Sequence, residues 1–153
     1  MIKPRYRIAS SRIAGAGQGL YLDEAVTAGS VVIAPDAIDR TWSFADVLAR
    51  TDAADALAAC VRWFEDRFTV SLDWPDECYV NHSFAPSGLW HLGFVFAARD
   101  LAAGTEVTVD YRHLLAEGQV EDFADAESGR PIVGLSWAES LRETTLALAA
   151  LVR

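Results

Sequence analysis

Three short segments carry the residue types that can do chemistry. In Tyr79-Val80-Asn81-His82-Ser83-Phe84-Ala85-Pro86 an amide stands beside an imidazole. The amide offers a donor and an acceptor on one rigid group, and the imidazole offers two distinct ring nitrogens. Such a pair can hold a polar ligand. Gly104-Thr105-Glu106-Val107-Thr108-Val109-Asp110-Tyr111 ends in a phenol, which both donates and accepts hydrogen bonds. Earlier, Gly15-Ala16-Gly17-Gln18-Gly19-Leu20 places glycines where a backbone can approach a ligand with no Cβ in between. No βαβ pattern surrounds these glycines, so they are not a dinucleotide-binding fingerprint.

In this order and spacing the three segments resemble the signature motifs of SET-domain protein lysine methyltransferases of the small bacterial type. The resemblance runs from about Ile8 to Tyr111 and is best in the third segment, where the family reads Gly-Glu-Glu-Leu-Thr-x-x-Tyr. It implies small, mostly antiparallel sheets around a knot-like threading, mostly β with some α, here followed by a C-terminal helix. Residues 1–115 would form the SET domain, with a variable insert at about 41–72. Residues 116–153 would be a C-terminal extension with an amphipathic helix over 136–152.

By the same resemblance the cofactor is S-adenosylmethionine, and S-adenosylhomocysteine is the product. Gly17, Gln18 and Gly19 would hug its methionine part, and Asn81 and His82 would hold it. Tyr111 maps onto the catalytic tyrosine. Tyr79 and Tyr21 are candidates for a second ring of the lysine channel, and Trp137 for a cover over the adenine or the channel. The chain departs from the family at several points. Cys78 replaces an arginine before the second motif, with Arg62 or Lys3 as candidate substitutes. Ser87 replaces an asparagine. Phe84 replaces a zinc-ligating cysteine, and no cysteine follows Cys78, so no zinc is expected.

The implied reaction is methyl transfer to lysine. The amine must be neutral to attack, yet free lysine has a pKa of about 10.4. An apolar channel lowers it, and alignment and desolvation then supply most of the rate. The expected function is a protein lysine N-methyltransferase acting on a basic protein or peptide. The alternative is a catalytically silent SET module that binds a basic peptide or a partner protein.

The elements that must position these residues are legible in part. Tyr6 and Ile8 alternate with polar neighbours, a strand signal. Leu20-Tyr21-Leu22 and residues 30–33 read as strands. Ser43-Phe44-Ala45-Asp46 is a capping-box start, and residues 52–60 read as a second helix. Residues 61–64 and 68–72 read as two strands, ended at Trp74-Pro75. Residues 92–98 read as one buried strand, 106–111 as an alternating strand, and 114–130 as loop with some helix. Ser136-Trp137-Ala138-Glu139 caps the clearest helix, with Trp137, Leu141, Leu148 and Leu151 on one face.

Composition bounds the rest. The 153 residues, 52% hydrophobic and 23% charged, suffice for one domain with a core and argue against disorder. A net charge of −9 argues against direct nucleic-acid binding and suits a cationic partner. Cys60 and Cys78 fit neither a zinc pattern nor a disulfide framework. The start Met1-Ile2-Lys3-Pro4-Arg5 leads to no apolar leader, and the longest apolar run, near 146–152, is too short to cross a bilayer. A cytoplasmic protein with no membrane contact is expected. The tail helix or exposed tryptophans leave room for a homodimer.

Overall fold

A computed structural model describes residues 1–35, 38 and 40–152. Asp36, Ala37 and Asp39 of the expected domain, and Arg153 of the expected extension, lie outside the described residues.

The chain opens with an antiparallel hairpin, β1 (Tyr6–Ser10) and β2 (Gln18–Leu22), with Ile8 opposite Leu20. Gly15 and Gly17 take positive φ, +81° and +72°, in the connecting turn, where L side chains are disfavoured. β3 (Val31–Ile33) follows. Residues 41–72 then form α1 (Phe44–Leu48), α2 (Ala53–Ala58) and the hairpin β4 (Cys60–Phe64) and β5 (Arg67–Val70). Their apolar side chains make a small core of their own around Val47, Ala56 and Phe68, which Ala116 joins. At α1 the Ser43 hydroxyl accepts from the Asp46 N–H, and Asp46 accepts from the Ser43 N–H, as the sequence predicts.

A 3-10 turn at Asp76–Tyr79 leads into β6 (Asn81–His82). β7 (Gly88–His91) and β8 (Phe94–Ala97) join β3 in a three-stranded sheet of order β3-β8-β7. β9 (Thr108–Val109) runs parallel to β6, and a 3-10 turn at Tyr111–His113 follows at once. β10 (Val120–Ala124) and β11 (Pro131–Val133) form a last hairpin before α3 (Trp137–Leu151). The main core gathers Leu20, Leu22, Val32, Val95, Val107 and Val109. The five sheets among the described residues are small, and the fold is mostly β with a C-terminal helix.

Three sequence expectations need correction. The expected strand over 92–98 starts later, because Leu92 and Gly93 form the β7–β8 turn with φ of 50° and 83°. A Cβ on Gly93 would sit 2.0 Å from the Trp63 ring, so glycine is required there. The expected strand over 106–111 is broken in two: Glu106 bridges Tyr21 of β2, and Thr108–Val109 pair with the two residues of β6. Residues 114–130, expected as loop with some helix, contain β10, whose partner β11 lies just beyond them. Pro131 starts β11, where its missing N–H is tolerated.

At α3 the capping box forms: Ser136 Oγ accepts from Glu139 N–H, and Glu139 Oε2 accepts from Ser136 N–H at 3.1 Å. Trp137, Leu141, Leu148 and Leu151 are half-buried, as an apolar face requires. The most buried residues of the helix are nevertheless Ser140 and Thr144. Their hydroxyls meet His113 Nδ1 at 3.0 Å and His91 Nδ1 at 2.8 Å. Two histidines thus satisfy the polar centre of the helix face.

All three histidines of the chain, His82, His91 and His113, have proton affinities lowered by burial. They are neutral in the fold at pH 7. Below about pH 6.5 the unfolded chain takes up protons that the folded chain resists, so stability falls with pH. Thermal unfolding is expected to drop clearly between pH 6.5 and 5, above the usual carboxylate range. The double substitution His91→Gln with His113→Gln should flatten that drop, and an unchanged slope would refute the assignment.

Candidate functional site

The parallel pairing of β6 with β9 fixes the site. It places Asn81 opposite Thr108 and His82 opposite Val109, so the second and third motifs lie side by side. Ser87 ties them further. Its hydroxyl donates to the Glu106 carbonyl and accepts from the Thr108 N–H, both at 2.9 Å.

Glu106, in the third motif, ties it to Asn81 of the second and to the residues that flank the glycine turn. Its carboxylate accepts from the Ser11 hydroxyl at 2.5 Å, the Tyr21 hydroxyl at 2.8 Å, and Asn81 Nδ2 and the Arg12 N–H at 3.1 Å each. Burial alone would raise its proton affinity, but these donors together outweigh burial and lower it. Asn81 Nδ2 also donates to the Gln18 carbonyl at 2.8 Å, locking the glycine turn to β6. Gly19 is glycine for this reason: a Cβ there would lie 2.3 Å from Glu106 Oε1.

His82 is buried, with its Nδ1 accepting from the Tyr111 N–H at 3.1 Å. In the neutral ring the hydrogen therefore sits on Nε2. That atom is buried without a hydrogen-bond partner, 3.6 Å from Asp125 Oδ1. Asp125 is fixed by the Ser128 hydroxyl and N–H and by the Phe84 N–H, which hold its carboxyl below the usual range. Tyr111 donates its hydroxyl to the Val80 carbonyl at 2.7 Å. Its ring lies 5.4 Å from that of His82 and 6.4 Å from that of Phe123. Burial pushes the phenol's proton affinity up, with the charge of Glu121 adding to it.

These residues open on a cleft of about 730 Å³. Gly15, Ala16 and Gln18 line one part of it, with Asn81, His82, Tyr79 and Tyr111. Trp63, Trp74, Trp90 and Phe123 supply aromatic walls. Cys60 and Cys78 are free thiols in the lining, pushed by burial to about 11 and so protonated at neutral pH.

Of the residues expected at a site, Gln18, Asn81, His82, Tyr79 and Tyr111 share this cleft, while Gly17, Gly19, Tyr21 and Trp137 are not in its lining. Tyr21 is 2% exposed, and its hydroxyl is held among Ser10, Arg12 and Glu106 rather than in a channel. Trp137 is half-buried on α3, a helix that packs on β7. Arg62 does not line the cleft. It is buried, and its guanidinium donates to the Leu135 and His113 carbonyls. Lys3 is absent from the lining as well. Sequence reasoning missed the joining role of Glu106, which its fixed place opposite a glycine turn could have suggested. It also missed Phe123 and Glu121, which reach the cleft through a hairpin with no local signal.

Among the described residues no cluster of three His, Cys, Asp or Glu side chains is placed to hold a metal ion, and no helix is long and apolar enough to cross a membrane.

No family model matches the chain, and no curated protein matches its sequence. Among solved structures, a chain of the "Structure of ctPRC2 in complex with H3K27me3 and H3K27M" is similar, with a TM-score of 0.57 and 18% identity. The match covers 71% of this chain and 14% of that one. At this identity the likeness is one of fold: SET-like small sheets, with the helix at the C-terminal end.

Proposed function

We propose that the protein is an S-adenosylmethionine-dependent protein lysine N-methyltransferase acting on a basic protein or peptide. The observation that carries this reading is the convergence of all three motif segments on one aromatic-walled cleft, with Tyr111 in its lining. The shared fold with a chain from a complex holding H3K27me3 is consistent with it.

The lining suits the cofactor. The glycine turn offers main chain with little side-chain bulk. The Nε2–H of His82 is a buried donor with no partner, and carboxylates in the lining suit a positive sulfonium. Gly15, Ala16, Gln18, Asn81 and His82 would hold it, and when bound it supplies an activated methyl group. Tyr111 positions the incoming amine through its hydroxyl, and Tyr79 borders the same space. The aromatic walls exclude water and so favour the neutral amine.

One observation favours the second reading, a silent module that binds a basic partner. Arg62 is spent on main-chain carbonyls, so among the described residues no arginine stands in the lining for the cofactor carboxylate. Calorimetric titration with S-adenosylhomocysteine separates the two. Saturable binding is expected, weakened about tenfold or more by Asn81→Ala or His82→Ala. A folded protein that binds neither S-adenosylhomocysteine nor S-adenosylmethionine would leave the silent module.

A further inference from the structure

We infer that Glu121 receives the incoming alkylamine side chain as its ammonium, before loss of the proton to solvent gives the neutral amine that attacks, making β10 a specificity element of the cleft. The inference rests on the lysine methyltransferase reading above.

Along β10 the burial pattern singles this residue out. Val120, Asp122, Phe123 and Ala124 are exposed, and Glu121 alone is half-buried. It lines the cleft, close enough for its charge to oppose ionisation of both Tyr111 and Cys60 on the opposing segments. Glu121, Tyr111 and Cys60 thus border one cleft.

Its state differs from that of the other carboxylates in the lining. Glu77 pairs with the Met1 ammonium at 2.7 Å, and Asp125 is bound by Ser128. Asp122 is exposed. Glu121 makes no hydrogen bond or ion pair with the described residues, and burial pushes its proton affinity up. A half-buried carboxylate without a partner is costly, and an arriving cation relieves that cost.

The chemistry of the cation follows from the surroundings. Among the described residues no lysine or arginine lines the cleft, while four carboxylates do. The described residues hold no cluster of three ligating side chains, which argues against a metal ion. Trp63 and Trp90 stand in the lining with ring centroids 6.1 Å apart, edge to face. Aromatic faces attract an organic ammonium and also cover an alkyl stem. A primary ammonium on a hydrocarbon chain fits both features.

The test is an NMR titration of isotope-labelled protein with n-butylammonium chloride, and in parallel with neutral n-butanol, each with and without saturating S-adenosylhomocysteine. Saturable shifts at Cys60, Tyr111 and Phe123 are expected, with the ammonium preferred over the alcohol by about tenfold or more. Glu121→Gln should erase that preference. Glu127→Gln, an exposed position outside the cleft lining, should keep it. An ammonium that binds no better than butanol to the wild-type protein overturns the inference, whether or not the variant folds. So does a folded Glu121→Gln protein with unchanged preference. Failure of S-adenosylhomocysteine to bind counts against the methyltransferase reading instead, and the titration without it still decides the role of Glu121.

Discussion

Tyr111→Phe is expected to slow methyl transfer about a hundredfold or more, the usual scale for deleting one positioned hydrogen-bonding group at a reacting centre. Affinity for S-adenosylhomocysteine should stay within roughly threefold, because on the proposed mechanism the lost interaction belongs to the transition state. The substitution is mild in every other respect. The Tyr111 N–H that His82 Nδ1 accepts is main chain and survives. The ring keeps its place between His82 and Phe123. Only the bond to the Val80 carbonyl is lost, worth about 1 kcal/mol of stability. The phenol is not a candidate base, since burial and nearby Glu121 keep its proton on. On the proposed function, its part is to orient the amine and to fill one side of the channel. The measurement is transfer of labelled methyl from S-adenosylmethionine to Lys-rich proteins. Wild type and Tyr111→Phe proceeding at one rate would remove Tyr111 from the chemistry. No transfer by a wild-type protein that binds the cofactor would point to the silent module.

What was legible in the sequence was local. The capping boxes at Ser43/Asp46 and Ser136/Glu139 need only residues three apart, and both form. The glycine turn needs only backbone freedom, and Gly15 and Gly17 use it. What escaped depends on distant partners. Gly88-Leu89-Trp90-His91 shows no alternation, so β7 is visible only beside β8. Val120-Glu121-Asp122-Phe123-Ala124 looks like polar loop until Pro131-Ile132-Val133 pairs with it. Tyr21 shows why a ring near a motif is a poor guide to its role. Its hydroxyl is drawn away from the cleft by Glu106, a residue 85 positions later. Asn81 and Tyr111 were legible as residues of one cleft because motif spacing encodes the parallel β6–β9 pair, though not the two-residue length of its strands. Glu106 stood in the third motif, but its joining role depends on Ser11, 95 positions earlier.

That distance makes Glu106→Ala the harshest single change expected of this site. The carboxylate is the acceptor for donors from β2, from the segment after β1, and from β6. Removing it does not orphan every donor. The Tyr21 hydroxyl can turn to the Ser10 carbonyl at 3.0 Å, and Asn81 keeps the Gln18 carbonyl. The Arg12 N–H retains the Tyr21 oxygen at 3.0 Å. The Ser11 hydroxyl loses its acceptor, and the void beside Gly19 opens. Hydrogen bonds to a charged acceptor contribute about 1.5–3 kcal/mol each, so after these replacements a loss of about 3 kcal/mol is expected. Because the carboxylate spans the glycine turn and Asn81, cofactor affinity should fall further than in Asn81→Ala. Glu106→Gln should rescue little, since an amide offers one acceptor oxygen and turns an NH₂ toward the remaining donors. The wild-type contribution also has a pH signature. Because the folded proton affinity is lowered, the stabilisation is present above the usual glutamate pKa of about 4.3 and is lost as pH falls through the folded value. Urea unfolding at pH 7 and pH 4, with hydrogen exchange at Gly15 to Gly19, reads both effects. If Glu106→Ala melts like wild type and protects the glycine turn equally, the three motifs are held together by backbone pairing alone. The carboxylate would then be a bystander in a turn that β6 and β9 already fix.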